Sequence, residues 1–338
     1  MSHDITIREN GFAEAAYSMK PAWHGLGEVY DHAMTSQEAL TGAGLDWKVI
    51  QKEVAIYPIE ENPTPVEGYR LNIREDTKEV LGQVTDQYKP VQNIEAFEFL
   101  DELIDEGEMM YESAFSMRGG KQVVLLAQMP GSFEVSQDDH LLNFIMLSSS
   151  HTGKQALQFG PTSIRVVCAN TFNMAMNAQG SKVKGLTINH NGDIKSKLAE
   201  ARKLLQGAQD TLEQYNASAV ELAQTTLSKD QWKKYLDILC PELDPLDPNY
   251  TSRRADKVSE TRLAIKACYK NDRQQSAPNT AWAAFNAFTE HVDHLPRKGQ
   301  GRRQAETRFN VTLCGIGKDM KQRAYELACN MAEIKAAV

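Results

Sequence analysis

The sequence predicts an α+β protein, with an N-terminal antiparallel or mixed sheet that carries a packed helix, followed by a largely helical C-terminal region. Three observations carry this prediction. Up to residue 167 the chain reads as strand candidates joined by turn signals, interrupted by one long helix. From Asp193 onward apolar residues recur at steps of three and four, the spacing of a helix face. Strands and helices do not alternate as βαβ units, so a doubly wound parallel sheet is excluded.

Taken in order, Lys20 to Gly27 (KPAWHGLG) is a turn-rich stretch with a Trp-His pair. Thr35 and Glu38 form a capping box that opens a short helix, which Gly42 and Gly44 close. Trp47–Tyr57 is rich in β-branched and aromatic residues and stops at Pro58. YRLNIRE alternates Tyr69, Leu71 and Ile73 with polar residues. With the turn Asp76-Thr77-Lys78 and the following VLGQVT it makes a hairpin. Ile94–Ile104 follows as a helix whose apolar face holds Ile94, Phe97, Leu100, Leu103 and Ile104. Four strands come next, Met109–Met117, Gln122–Met129, Leu141–Ser149 and Ala156–Val167, with turns at Gly119-Gly120 and at His151-Thr152-Gly153-Lys154.

From Ala169 the chain is expected to be mainly helical. Asp193 caps a helix running to about Leu227, in which Ile194, Leu198, Ala201, Leu205, Ala208, Leu212, Tyr215, Ala219 and Leu222 repeat as a heptad seam. A second helix carries Trp232, Tyr235, Leu236 and Leu239. The proline-containing loop Cys240–Asn249 separates it from helices at Ser252–Tyr269, Thr280–His294 and Lys318–Ala337. Two domains follow from this pattern, residues 1–178 and 179–338, with a mobile loop near 296–307.

The net charge of −8 conceals an asymmetry. Residues 1–150 hold 10 Lys and Arg against 26 Asp and Glu, whereas residues 151–338 hold 27 against 19. A basic half suits a polyanion, and an acidic half beside it suits contact within the chain or between subunits of a homo-oligomer. Five widely spaced cysteines with no CxxC pair point to reduced core residues. No apolar run reaches the ~20 residues of a spanning helix, and the acidic N-terminus is unlike a signal peptide. The expected location is therefore cytoplasmic, with no membrane contact.

No catalytic centre, cofactor site or metal site is legible. GxGxxG and GxxxxGK[ST] are absent, and Gly315-x-Gly317-Lys318 lacks the first glycine. His291 and His294 have no third ligand at metal spacing. His24, beside Trp23 in a glycine-bounded loop, reads as structural, with a site around His24 and Arg165 as the enzymatic alternative. The cations are more informative. Lys154 sits at a hairpin tip and Arg165 on the strand after it. Ser252–Gln275 carries Arg253, Arg254, Lys257, Arg262, Lys266, Lys270 and Arg273, and the glycine-containing loop carries Arg297, Lys298, Arg302 and Arg303. Such groups suit phosphate contacts, which need charge and little shape. The expected nucleic-acid-binding residues are Lys154, Arg165, Arg253, Arg254, Lys257, Arg297, Lys298, Arg302 and Arg303. Tyr250, Tyr269 and Phe159 are available for stacking, without a motif that marks a platform.

KPAWHGLG, YKPVQN, GPTSIRVVCANT, NTAWAAFNAFTEHVDH and the terminal KDMKQRAYELA together resemble the phage/plasmid-like family of unknown function. The resemblance spans nearly the whole chain and implies genes carried on phages, plasmids and integrated elements, in bacterial cytoplasm or an infected cell. It brings no catalytic residue. At the level of fold alone, hairpins on a helix followed by basic helices are similar to the single-strand annealing proteins of phage recombination systems. The function expected is therefore nucleic-acid binding, to single-stranded DNA, in recombination or maintenance of a mobile element. The alternatives are a protein-interaction factor, in counter-defence or host modulation, and an enzyme with an unrecognised site.

Overall fold

The computed structural model describes residues 5–19, 25–56, 62, 64–107, 109–155, 157–165, 170–173, 186–188, 198–248, 250–294, 316–334 and 336. Sheets occupy the N-terminal half and helices the C-terminal half, the expected α+β arrangement. Two compact units emerge, and they are interleaved along the chain. The first is Met1–Pro130, Phe144–Pro161 and Gly185–Gln206; the second is Gly131–Asn143, Thr162–Lys184 and Gly207–Val338. The units are not the contiguous division at residue 178, and three of their boundaries fall inside β9, β10 and the long helix that starts at Leu198.

The first unit begins with β1 (Ala15–Ser18) and β2 (Glu28–Tyr30), which pair in parallel. Next comes α1 (Ser36–Gly42), opened by the Thr35–Glu38 capping box as expected, both of its hydrogen bonds being present. A separate antiparallel sheet follows, β3 (Val49–Ile56), β4 (Thr64–Arg74) and β5 (Val80–Thr85). Helix α2 (Asn93–Gly107) precedes β6 (Met110–Met117) and β7 (Gln122–Gln128). In the large sheet β1 pairs with β6, β6 with β7, and β7 with the part of β9 (Asp139–Ser150) from Phe144 onward, all antiparallel. The start of β10 (Leu157–Arg165) pairs with β12 (Leu186–Ile188). With β1 and β2 parallel and the rest antiparallel, the sheet is mixed.

Helix α2 covers this sheet through Phe97, Leu100 and Leu103, each at most 1% exposed, and Phe99 meets Phe159 edge-on. Ile94 departs from expectation at 47% exposure. Asn93 takes the inward position instead, because its amide caps the backbone carbonyls of Leu45 (2.9 Å) and Trp47 (3.4 Å). The turn His151–Lys154 is held against β5: a Cβ on Gly82 would lie 2.5 Å from the Thr152 carbonyl oxygen, so only glycine permits the approach.

In the second unit β8 (Phe133–Ser136) pairs with the start of β9, and β11 (Asn170–Asn173) with the end of β10. Strands β11 and β12 fall in the stretch from Ala169 onward expected to be mainly helical. With three or four residues each, they offer too few alternations to be read from sequence. Helix α3 (Leu198–Gln224) is described from Leu198, and Asp193 and Ile194 lie outside the described residues. Its Leu212, Tyr215, Ala219 and Leu222 are buried, with Tyr215 against Trp282 and Tyr325 and Ser218 hydrogen-bonded to Tyr325. Helices α4 (Lys229–Leu239), α5 (Ser252–Tyr269), α6 (Ala281–His294) and α7 (Ile316–Met331) complete the unit. Residues 281–290 of α6 are all buried, so α6 is the central helix of this unit. Three of its polar groups are matched by side chains of the same unit: Trp282 Nε1 donates to Asp139 (3.0 Å), Glu290 accepts from Asn271 and Arg273, and Asp293 pairs with Lys321 (2.8 Å).

Candidate nucleic-acid interface

Local chemistry shapes the helix pair that carries most of the described candidate residues. Ser228 and Gln231 make a capping box at the start of α4, and Thr251 accepts from Arg254 N at the start of α5. The last carbonyls of α4 need donors from elsewhere. Arg262 supplies one, donating to the Cys240 carbonyl and to Asp237, both at 2.5 Å, with Glu242 at 3.3 Å. At the other end Trp232 stacks on Tyr269, ring centroids 3.9 Å apart and planes 10° from parallel. Contacts advance along α4 as they retreat along α5, so the two helices are antiparallel.

Of the seven cations in Ser252–Gln275, two are therefore structural. Arg262 is 5% exposed in its ion pairs, and Arg273 is bound to Glu290 at 2.7 Å. Charge counting along the sequence could not separate these from the rest. Arg253, Arg254, Lys257, Lys266 and Lys270 are exposed on α5, and Lys229, Lys233 and Lys234 on α4. Among the described residues Arg253, Lys257, Lys266 and Lys270 make no ion pair.

The remaining predicted residues fall elsewhere. Lys154 is exposed in the first unit, its backbone N–H donating to Thr152 Oγ1 at 3.3 Å. Arg165, in the second unit, ends β10 in register with Asn170. Arg297, Lys298, Arg302, Arg303, the loop 296–307, and the Trp23-His24 pair lie outside the described residues. Of the candidate stacking rings, Phe159 is 1% exposed in the core and Tyr269 is covered by Trp232, which leaves Tyr250 at 36%. Burial pushes the Tyr269 hydroxyl up to about 12, so it stays protonated at neutral pH.

Sequence reasoning missed a buried charge cluster in the first unit. Arg74 and Glu14, both fully buried, form a two-pronged ion pair, and Arg8 donates to Glu14 at 2.7 Å. The Arg74 guanidinium lies over the Trp47 ring, 4.4 Å from its centroid. Burial pushes the Asp76 carboxyl up, but hydrogen bonds and charge from Arg74 outweigh this and hold it below its usual 3.8. His151, expected only as a turn residue, is buried against Trp47 and bonds through Nε2 to Asn93 Oδ1 at 3.0 Å. Arg74, Glu14 and His151 are sealed from water and knit strands to the helix, whereas Arg8 and Asp76 at the edge of the cluster are partly exposed.

Among the described residues no group of three or more His, Cys, Asp or Glu could hold a metal ion, and no helix is long and apolar enough to cross a membrane. Cys268 and Cys329 are buried free thiols and Cys240 is half-buried; burial pushes Cys329 up to about 11.

No curated protein and no solved structure matches this chain. A family model does match, over residues 80–313, from β5 through the whole of α4, α5 and α6. That stretch exceeds half of the sequence, and the chain belongs to this family, described as a domain of unknown function, DUF932.

Proposed function

We propose that the protein binds nucleic acid, single-stranded DNA in particular, through cations of its helical half, in recombination or maintenance of a phage, plasmid or other mobile element. The carrying observation is that α5 leaves Arg253, Arg254 and Lys257 exposed on one stretch, while Arg262 further along it is spent on α4. The charge asymmetry of the chain points the same way, because a half with surplus Lys and Arg favours a polyanion over an acidic partner. Arg297, Lys298, Arg302 and Arg303 add four cations within seven residues of sequence, and Lys154 adds one at a hairpin tip.

The test is a fluorescence-anisotropy titration of the full chain with a labelled oligo-dT at several salt concentrations. Binding is expected to weaken with salt by about 0.7 in the log–log slope for each phosphate contact. Replacing Arg253, Arg254 and Lys257 with Ala is expected to flatten the slope by up to about 2. Absence of binding at low salt would sink the proposal.

A second reading has its own observation: Leu246 is 89% exposed on the α4–α5 loop and Leu263 66% exposed on α5. Loss of a stable protein complex on changing both to Ser, with oligonucleotide binding absent throughout, would favour a protein-interaction factor.

A further inference from the structure

Two segments of the second unit carry the same five-residue pattern. Lys229-Asp-Gln-Trp232-Lys233 opens α4, and Lys266-Ala-Cys-Tyr269-Lys270 closes α5. In each, a lysine stands three residues before an aromatic ring and another stands one residue after it. The two rings are the ones that stack on each other, at 3.9 Å and nearly parallel.

The geometry of an antiparallel pair makes this repetition meaningful. A two-fold axis through the ring contact, perpendicular to the plane of the two helices, exchanges the helices and leaves each face of the pair on its own side. At about 100° per residue, a lysine one residue after the ring is turned about 100° from it, and one three residues before is turned about 60° in the same sense. Both lysines of each helix therefore lie on the same side of their ring, and the two-fold brings both sides together. Along the axis the four Cα positions span on the order of 9 Å, with about 6 Å between the two lysines of one helix. The stacked rings between the two helices, 3.9 Å apart, set the other dimension. All four lysines are exposed, and among the described residues none is in an ion pair. The acids nearest in sequence are Asp230 and Asp272, two against four.

We infer that Lys229, Lys233, Lys266 and Lys270 form one compact phosphate-binding patch, with approximate two-fold symmetry about the Trp232–Tyr269 stack, that holds the backbone of a single nucleic-acid strand. This rests on the nucleic-acid-binding proposal above and adds four lysines to its contact residues. The stack is a spacer, not a platform. Trp232 has Tyr269 on one neighbouring ring and Tyr235 on another, 5.9 Å away, so the rings are occupied with each other. Lysine presents a point charge without the planar fork of arginine, which suits backbone charge and carries no base code. Binding at the patch is therefore independent of base sequence. So small a square engages a few successive phosphates of a flexible strand; the rigid double helix has no comparable freedom to follow it.

The experiment uses the full chain and three variants, K229Q/K233Q, K266Q/K270Q and all four together. Each is titrated with oligo-dT, oligo-dA, a duplex of equal length and poly-glutamate across a range of salt. The two double variants are expected to lower the salt exponent for single strands equally, by about 1.4 each, and the quadruple variant by about 2.8. Oligo-dT and oligo-dA are expected to respond alike. An unchanged exponent in the quadruple variant, with R253A/R254A/K257A still lowering it, would overturn the patch and leave the nucleic-acid proposal standing. No salt-sensitive binding by the wild type would overturn both. An effect in one double variant only would overturn the shared patch. Equal binding of the duplex or of poly-glutamate would overturn its assignment to a single strand.

Discussion

The buried arginine of the first unit and the exposed cations of helices α4 and α5 in the second are used in opposite ways. In the first, Arg74 is buried over Trp47 and matched by Glu14 and Asp76, and its charge is consumed inside the fold. In the second, the cations at the start of α4 and along most of α5 stand in water, while Arg262 alone among those of α5 is buried in ion pairs. The difference teaches that a basic sequence is an upper bound on a binding surface. What remains after internal ion pairs are subtracted is the part that can meet a polyanion, and on the helix pair it includes Lys229, Lys233, Lys266 and Lys270.

The largest expected effect breaks the buried side of this comparison. Arg74→Met leaves Glu14 with one fewer partner in a site closed to water, and should cost about 3–5 kcal/mol in urea unfolding. The pH dependence carries a sign. Because Asp76 titrates below 3.8 in the folded protein, its contribution to stability is present above that pH and is lost as pH falls through the folded value. The gap between wild type and Arg74→Met should therefore narrow below pH 3.8. A constant gap would mean that Arg74 acts by packing on Trp47 rather than by charge.

A middle-sized effect belongs to the core of the second unit. Trp282→Phe removes the indole donor at 3.0 Å from Asp139, a carboxylate at 0% exposure that also accepts from Ser276. The expected loss is about 1–3 kcal/mol. A loss under 0.5 would show that the remaining partners satisfy Asp139 without the indole. The smallest effect is on the exposed side: the four-lysine variant should unfold within about 0.5 kcal/mol of wild type, as surface substitutions do. A larger loss would place those lysines among the structural cations, with Arg262.

How far sequence anticipated this molecule depends on the range of the forces involved. Helices announce themselves locally. The Thr35–Glu38 box set the start of α1, and the run from Ser252 to Tyr269 marked α5, because caps and periodicity are properties of neighbouring residues. The strands β1, β8, β11 and β12 escaped notice, being three or four residues long and defined by partners far along the chain. The Glu14–Arg74 pair joins residues sixty positions apart, and nothing near either one signals it. On α5, the exposed Arg253, Arg254 and Lys257 were legible as a basic run, whereas the removal of Arg262 required knowing that the end of α4 lies beside it. The lysine pattern around Trp232 and Tyr269 is plain in the sequence, but its meaning depends on the two rings meeting.

The most direct test of the central claim, that the helix pair carries the main part of the proposed binding surface, is a photo-crosslink. The full chain is irradiated with a bromouracil-substituted single strand at moderate salt, and the modified peptides are identified by mass spectrometry. The account predicts adducts concentrated between Lys229 and Lys270, at equal positions for strands of different sequence. Adducts confined to the strands β3 to β7, or none above those of a carrier protein of the same charge, would contradict it.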